Sequence, residues 1–410
     1  MKAFFTNITC TALLVSMSLI SYSQTEQTAN RFTPKELTIP AAPVFDLMGV
    51  TSSQINRTSD IKDFKVDWSF KSWRLNPNLA IQSQPVWEIF YNRKDLGKYQ
   101  QSSRLMRRLA SLDLSVGSVQ DENNDRRIGF AFKMNVFKQR DPLMAKELYE
   151  DIREKYKQEK ELLGAQLNAL QIKLDTTKNI LEKPDIRSQI KGVEEQLLSQ
   201  NSRRREEINS RAKIFVEENW NASAIDFAVG KIFSYKTDSS GSLKGLRLNR
   251  STGLGGWVNA SIGIGKKLLL SGLVRSSWYK EQLDFILRDT LTLQEFSQSA
   301  TARNTLFTMG LNLRYGSPQF TFFFEFLYEA KNLTTPLKAL TKEFKVPPGN
   351  MEIVAASVKW DVVNPNTLAI GGDWRISRNL MINYGMRCVF DKKWKFTTFT
   401  PVVTIACMMR

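Results

Sequence analysis

The chain has 410 residues, a formal net charge of +17 and no histidine. Without imidazole, Ser-His hydrolases, histidine-bound zinc and most general-base schemes are excluded. Beyond the N-terminus no stretch supplies the roughly 18 continuous apolar residues of a spanning helix, so a mature chain that crosses a membrane must do so as a closed barrel.

Lys2, the apolar run through Leu13, Leu14, Val15 and Ile20, and Ser21-Tyr22-Ser23 predict a secretory signal over residues 1–23. Residues 24–61 are polar and Thr/Pro-rich, with Pro40 to Val50 as their apolar cluster. Such a cluster needs a home, most simply at the periplasmic mouth of a barrel or inside its lumen; a disordered segment is the alternative.

The first barrel strands are expected within 62–140, in segments 62–73, 78–91, 104–118 and 127–138. Phe64, Val66, Trp68 and Phe70 alternate with Lys65, Asp67, Ser69 and Lys71. Ile128, Phe130 and Phe132 alternate with Gly129, Ala131 and Lys133. A strand sends successive side chains to opposite faces, so each segment has one apolar and one mixed face.

Across 141–216 the period changes to helical. Leu163, Leu167, Leu170, Leu174 and Leu181 form one stripe; Ile186, Ile190, Val193, Leu197 and Ile208 form another. Lys183-Pro184-Asp185 interrupts them, because proline breaks a helix interior. The pattern predicts an antiparallel coiled-coil hairpin with a first arm extending about 60 Å. Arg203, Arg204 and Arg205 are its most basic point and its candidate partner-binding residues; a charge run also reads as a solvated face.

Period-two alternation resumes through 217–410, near 222–235, 242–250, 256–264, 268–279, 307–314, 320–328, 351–362, 368–375, 380–387 and 398–405. It is clearest where Phe320, Phe322, Phe324, Phe326 and Tyr328 share one face with Thr321 and Glu325 on the other. The fold class read from this is an all-β transmembrane barrel of about 14 antiparallel strands, or 12, with the helical hairpin inserted. A soluble sandwich would also alternate, but the export signal and the aromatic outward faces favour the barrel.

Lys133, Arg275, Arg314, Glu325, Lys359, Asp373, Arg375 and Arg387 fall on the predicted lumen face, as does Glu88. Buried charges must pair or line a wet channel, and register decides between the two. With bases in slight excess, any conduction should favour anions. No phosphate-binding glycine loop, metal cluster or nucleophile elbow is present, so neither catalytic residues nor a cofactor are expected. Cys388 and Cys407 are read as small hydrophobes without a disulfide. The positive balance points to anionic lipid rather than nucleic acid.

The cluster Pro40 to Val50, followed by Asn56-Arg57-Thr58-Ser59-Asp60-Ile61-Lys62-Asp63-Phe64, resembles the lead-in of uncharacterised outer-membrane proteins of Bacteroidota. There a Pro-Ala-Phe-Leu-Leu-like stretch precedes Arg-Pro-Ser and the first barrel segment; Thr58 stands here in place of the proline. The resemblance implies location, not activity. The expected role is a non-enzymatic scaffold or accessory subunit of an envelope complex in the outer membrane of a Gram-negative bacterium. Outer-membrane lipid and other envelope proteins are its expected partners. Strand parity sets the hairpin in the periplasm, although long barrel loops usually face outward. The alternative is a channel or transporter for small solutes.

Overall fold

The computed structural model describes residues 41–58, 64–71, 78–92, 95–120, 125–237, 243–246, 252–335, 351–356, 365–377 and 379–409. The signal over 1–23 and candidate Lys359 lie outside these residues. Fourteen strands are described: β1 (Lys65–Lys71), β2 (Asn78–Ser83), β3 (Asp113–Gln120), β4 (Arg126–Lys138), β5 (Ala224–Thr237), β6 (Leu243–Leu246) and β7 (Gly253–Ile264). They continue with β8 (Leu268–Asp289), β9 (Glu295–Gly316), β10 (Phe320–Leu333), β11 (Met351–Ala356), β12 (Asn366–Arg375), β13 (Leu380–Phe390) and β14 (Phe396–Met408).

Twelve of them close a ring, all neighbours antiparallel, with β1 paired to β14 and β8 to β9. The expectation of about fourteen is therefore corrected to twelve. Among the described residues β6 pairs only with β5 and β11 only with β8, both as short additions off the ring. Two other segments are shorter than expected. Val86–Phe90 and Arg104–Ala110 are helical, which also takes Glu88 out of a strand position.

Alternation along the strands sorts the side chains by solvent. Phe130, Phe132, Phe227, Leu311, Phe322, Phe324 and Trp374 are exposed on the outer wall. Lys133, Asp226, Asn259, Arg275, Arg314 and Glu325 are buried on the inner one. Closure leaves no unpaired edge in the ring, as an apolar solvent requires. No helix among the described residues is long and apolar enough to cross a membrane. Cys388 and Cys407 are both free thiols.

The insertion between β4 and β5 forms two antiparallel helices, α4 (Lys146–Thr176) and α5 (Lys183–Asn219). At 1.5 Å per residue they measure about 46 and 56 Å, so the first arm is shorter than expected. The reversal occupies 177–182, and Pro184 sits in the first turn of α5, where its missing N–H costs nothing. Leu163 and Ile186 are buried and Leu167, Leu170, Leu174, Ile190, Val193 and Leu197 half-buried, as a shared seam demands. Leu181 is exposed instead, because it falls in the reversal with no helix opposite.

Four spanning strands precede this arm and eight follow it, so the start of β1, the base of the arm and the end of β14 share one mouth. This is called the arm mouth. The two non-spanning strands both follow the arm, and dropping a pair leaves parity unchanged. At the opposite, far mouth β8 and β9 run 22 residues each, well beyond the roughly 9–11 that cross a bilayer.

Candidate functional site

The lumen is filled by the chain's own residues 41–58. The filling starts with a six-residue helix, α1 (Pro43–Met48), which has Pro43 in its first turn and Gly49 just past its end. Gly49 adopts φ 67°, a left-handed conformation that glycine tolerates without a Cβ penalty, and it turns the chain back. Ala42 and Val44 donate backbone N–H groups to Asp67 Oδ2 (2.6 Å) and Ser115 Oγ (3.0 Å). Past the turn, Arg387 donates to the carbonyls of Gly49 (3.1 Å) and Thr51 (2.7 Å). The segment then descends until Arg57 meets Asp373 (3.4 Å). It therefore enters and leaves by the arm mouth, in the shape of a U.

Its anchor is Glu325. The carboxylate accepts from Ser53 Oγ (2.5 Å), Gln54 N (2.9 Å), Ile55 N (3.0 Å) and Asn312 Nδ2 (2.9 Å). Arg275 donates to Gln54 Oε1 (3.1 Å), and Arg314 donates to the Ile55 carbonyl (3.2 Å) while pairing with Asp373. Lys133 forms an ion pair with Asp226 (3.2 Å). Buried charges persist where such partners satisfy them. Asp46 is also fully buried, and burial pushes its carboxyl up to about 8 against the opposing pull of Lys133, Arg275 and Lys65.

The apolar half of the filling is Val44, Phe45, Met48, Val50 and Ile55, packed on Ala80, Ala131, Ala228, Trp257, Leu273 and Leu327. Each large side chain buried this way contributes about 1.5–3 kcal/mol. Room for them comes from glycines on the inner wall. A Cβ at Gly117 would stand 2.8 Å from Val44, at Gly129 2.8 Å from Met48, and at Gly255 2.5 Å from Leu47.

All the described lumen-face candidates but Arg375 and Glu88 are thus buried inside: Lys133, Arg275, Arg314, Glu325, Asp373 and Arg387. Arg375, at the end of β12, is half-buried. Arg203 is already engaged, with Glu159 of the facing helix at 2.7 Å. Arg204 is half-buried, and the side chain of Arg205 lies outside the described residues.

No protein-family model and no curated protein matches this sequence. Among solved structures, the NanC porin aligns over 85% of this chain and 99% of its own at 7% identity and a TM-score of 0.30. The outer membrane protein Omp33 of Acinetobacter baumannii covers 85% and 98% at 7% identity and a TM-score of 0.27. The translocator domain of the autotransporter NalP from Neisseria meningitidis covers 85% and 89% at 8% identity and a TM-score of 0.31. Likeness at this level carries no argument, so the strand pairing described above is what defines the barrel.

The arm is seated on its mouth by side chains that the sequence does not single out. Trp220 Nε1 donates to the Lys266 carbonyl (3.0 Å), and Asn221 Nδ2 donates to those of Gly265 (2.9 Å) and Leu268 (2.8 Å). Gln319 donates to Glu217 (3.0 Å) across the β9–β10 turn. Helices α2 (Leu96–Gln101) and α3 (Arg104–Ala110) lie between β2 and β3. They belong to a foot in which Trp87, Tyr91, Tyr99, Ala110 and Leu143 pack with Ile208 and Phe215 of the arm. Tyr99 donates to Asp141 (2.7 Å), fixing the foot to the root of the arm.

Proposed function

We propose that this protein is a non-enzymatic outer-membrane barrel of a Gram-negative bacterium. In this reading it is a scaffold or accessory subunit of an envelope complex, and its coiled-coil arm stands in the periplasm. The observation that carries the reading is the contrast between a lumen occupied by residues 41–58 and an arm firmly footed at one mouth. A barrel built to conduct needs its lumen; a barrel built to hold an arm needs the foot.

The apolar exterior supports the membrane assignment. Sidedness is supported by loop length, because outer-membrane barrels keep short turns in the periplasm and longer loops outside. Three arm-mouth connections are short (265–267, 317–319 and 376–379), whereas the far mouth carries 334–365 and the long β8–β9 hairpin. The helical insertions at the arm mouth are the exception that a periplasmic partner would explain. Arg203, Arg204 and Arg205 remain the proposed contact on the arm.

A cysteine replacing Lys183 at the tip of the arm tests the reading in intact cells. Protection from an impermeant maleimide until the outer membrane is opened, with a stoichiometric partner lost on deleting 141–216, is the expected result. Labelling in intact cells would refute the periplasmic placement. A gated channel is the second reading, favoured by the U-shaped course that lets the filling segment withdraw without crossing the barrel. Conductance by the pure protein in planar bilayers, unaffected by deletion of the arm, would put that reading first; a cation-preferring reversal potential would contradict the lumen's basic excess.

A further inference from the structure

Where the filling segment leaves the lumen, a cavity of about 40 Å³ opens between Arg57, Thr58, Lys138, Arg140, Asn219, Trp220 and the inward-facing Ser261 and Leu269. At roughly 10–15 Å³ per water it has room for about three waters. Three of its lining residues are cations, and none of the described lining residues is acidic. From these residues the structure assigns a binding site for a small phosphate-type oxyanion, taken from the aqueous phase at the arm mouth.

Charge balance is the first argument. Arg57 is buried, and Asp373, its partner at 3.4 Å, is also the partner of Arg314. One carboxylate thus serves two guanidiniums, with Arg375 contributing a further positive field at Arg57. Burial is the main cause that pulls Arg57 down to about 10, with Arg314 and Arg375 adding to it and Asp373 opposing. A buried positive excess is costly, and a bound anion relieves it.

Orientation is the second. Among the described residues, Arg57 Nη1 is buried without a hydrogen-bond partner. The Trp220 ring lies beneath the guanidinium, 5.6 Å from ring centroid to Cζ. Arg140 reaches the cavity from the exposed side, braced on Asn219 Oδ1 at 2.8 Å. A planar guanidinium with a spare donor suits two oxygens of one anion better than a spherical halide. Asp141 and Asp226 act on Lys138 from beyond the lining, so Arg57 and Arg140 carry the recognition. The membrane is not the source, because Ala224, Ser261 and Leu269 line the cavity with inward-facing side chains.

The test is tryptophan fluorescence of the purified full-length protein, titrated with sodium phosphate against sodium chloride at matched ionic strength. A saturable change specific to phosphate, lost in Trp220→Phe and weakened on the order of tenfold or more in Arg140→Gln, is the expected result. Arg140 is exposed, so its variant stays informative even where Arg57→Gln fails to fold. A non-saturable or chloride-equivalent response, or unchanged affinity in Arg140→Gln, overturns the proposal. Asp60 and Asp63 follow Thr58 in the sequence and lie outside the described residues. Phosphate binding seen only in Asp60→Asn/Asp63→Asn would make the chain's own carboxylate the counter-ion, and would equally overturn it.

Discussion

The lumen and the arm use the same residue types to opposite effect. Inside the barrel, Glu325, Arg314, Lys133 and Asp373 are buried and tied into a network that fixes the path of residues 41–58. On the arm, Lys155 with Glu207 and Arg203 with Glu159 bridge the two helices, and only the glutamates are partly shielded from water. Desolvation makes the first set costly to disturb, whereas water and salt screen the second. Position relative to water, not the inventory of charges, decides which pairs hold the molecule together.

The most damaging test of this contrast is Glu325→Ala. It leaves the N–H groups of Gln54 and Ile55 without their acceptor and takes from the Asn312 amide one of its two, at a cost on the order of 3–5 kcal/mol. A large fall in the thermal unfolding temperature is expected, with ion conductance appearing in planar bilayers as the filling loosens. Gly255→Val comes next. Its new side chain collides with Leu47, and overpacking of this kind costs about 1–3 kcal/mol, readable as a smaller loss of thermal stability.

Acidity sharpens the comparison because the two regions respond with opposite sign. Docking raises the Asp46 carboxyl from 3.8 to about 8, so the docked segment binds that proton more tightly than a released one. Docking is therefore strongest at acid pH and weakens as pH rises through that window. Protease access to residues 41–58 should increase accordingly, with the dependence flattened in Asp46→Asn. On the arm, a hydrogen bond from Lys155 heads the causes that hold Glu207 below its usual 4.5, so its contribution is present near neutrality and lost on acidification. The smallest effect is expected from Arg203→Ala, at most about 1 kcal/mol by helical circular dichroism on heating.

Period-two alternation places a strand in each of fourteen segments, and it puts Lys133, Arg275, Arg314, Glu325, Asp373 and Arg387 on the face that is buried, though not Glu88. It does not give the strand number, because β6 and β11 alternate like their neighbours yet, among the described residues, pair on one side only. Val86–Phe90 and Arg104–Ala110 misled for a related reason, since in short stretches Trp87, Ile89 and Tyr91 satisfy a strand's pattern as readily as a helical turn's. The apolar cluster before β1 was visible as a segment in need of burial, but its contacts with Ser115, Glu325 and Arg387 depend on register and closure. The sequence does carry one signal of it: Gly117, Gly129 and Gly310 all fall on the inward set of their strands, where a lumen full of side chains has no use for the gap. A glycine row on the inner face marks space reserved for another piece of chain.

The U-shaped course also has a topological consequence. Because residues 41–58 go in and come out at one mouth, nothing is threaded, and the ring can close before, after or around them without a chain end passing through it. Tension applied to the segment ahead of Ala41 would peel its contacts in sequence, the bonds to Asp67 and Ser115 first and those to Glu325 later, rather than shearing all of them together. The barrel's stopper is thus fastened as a zip is, yielding contact by contact to a small pull from the arm's side.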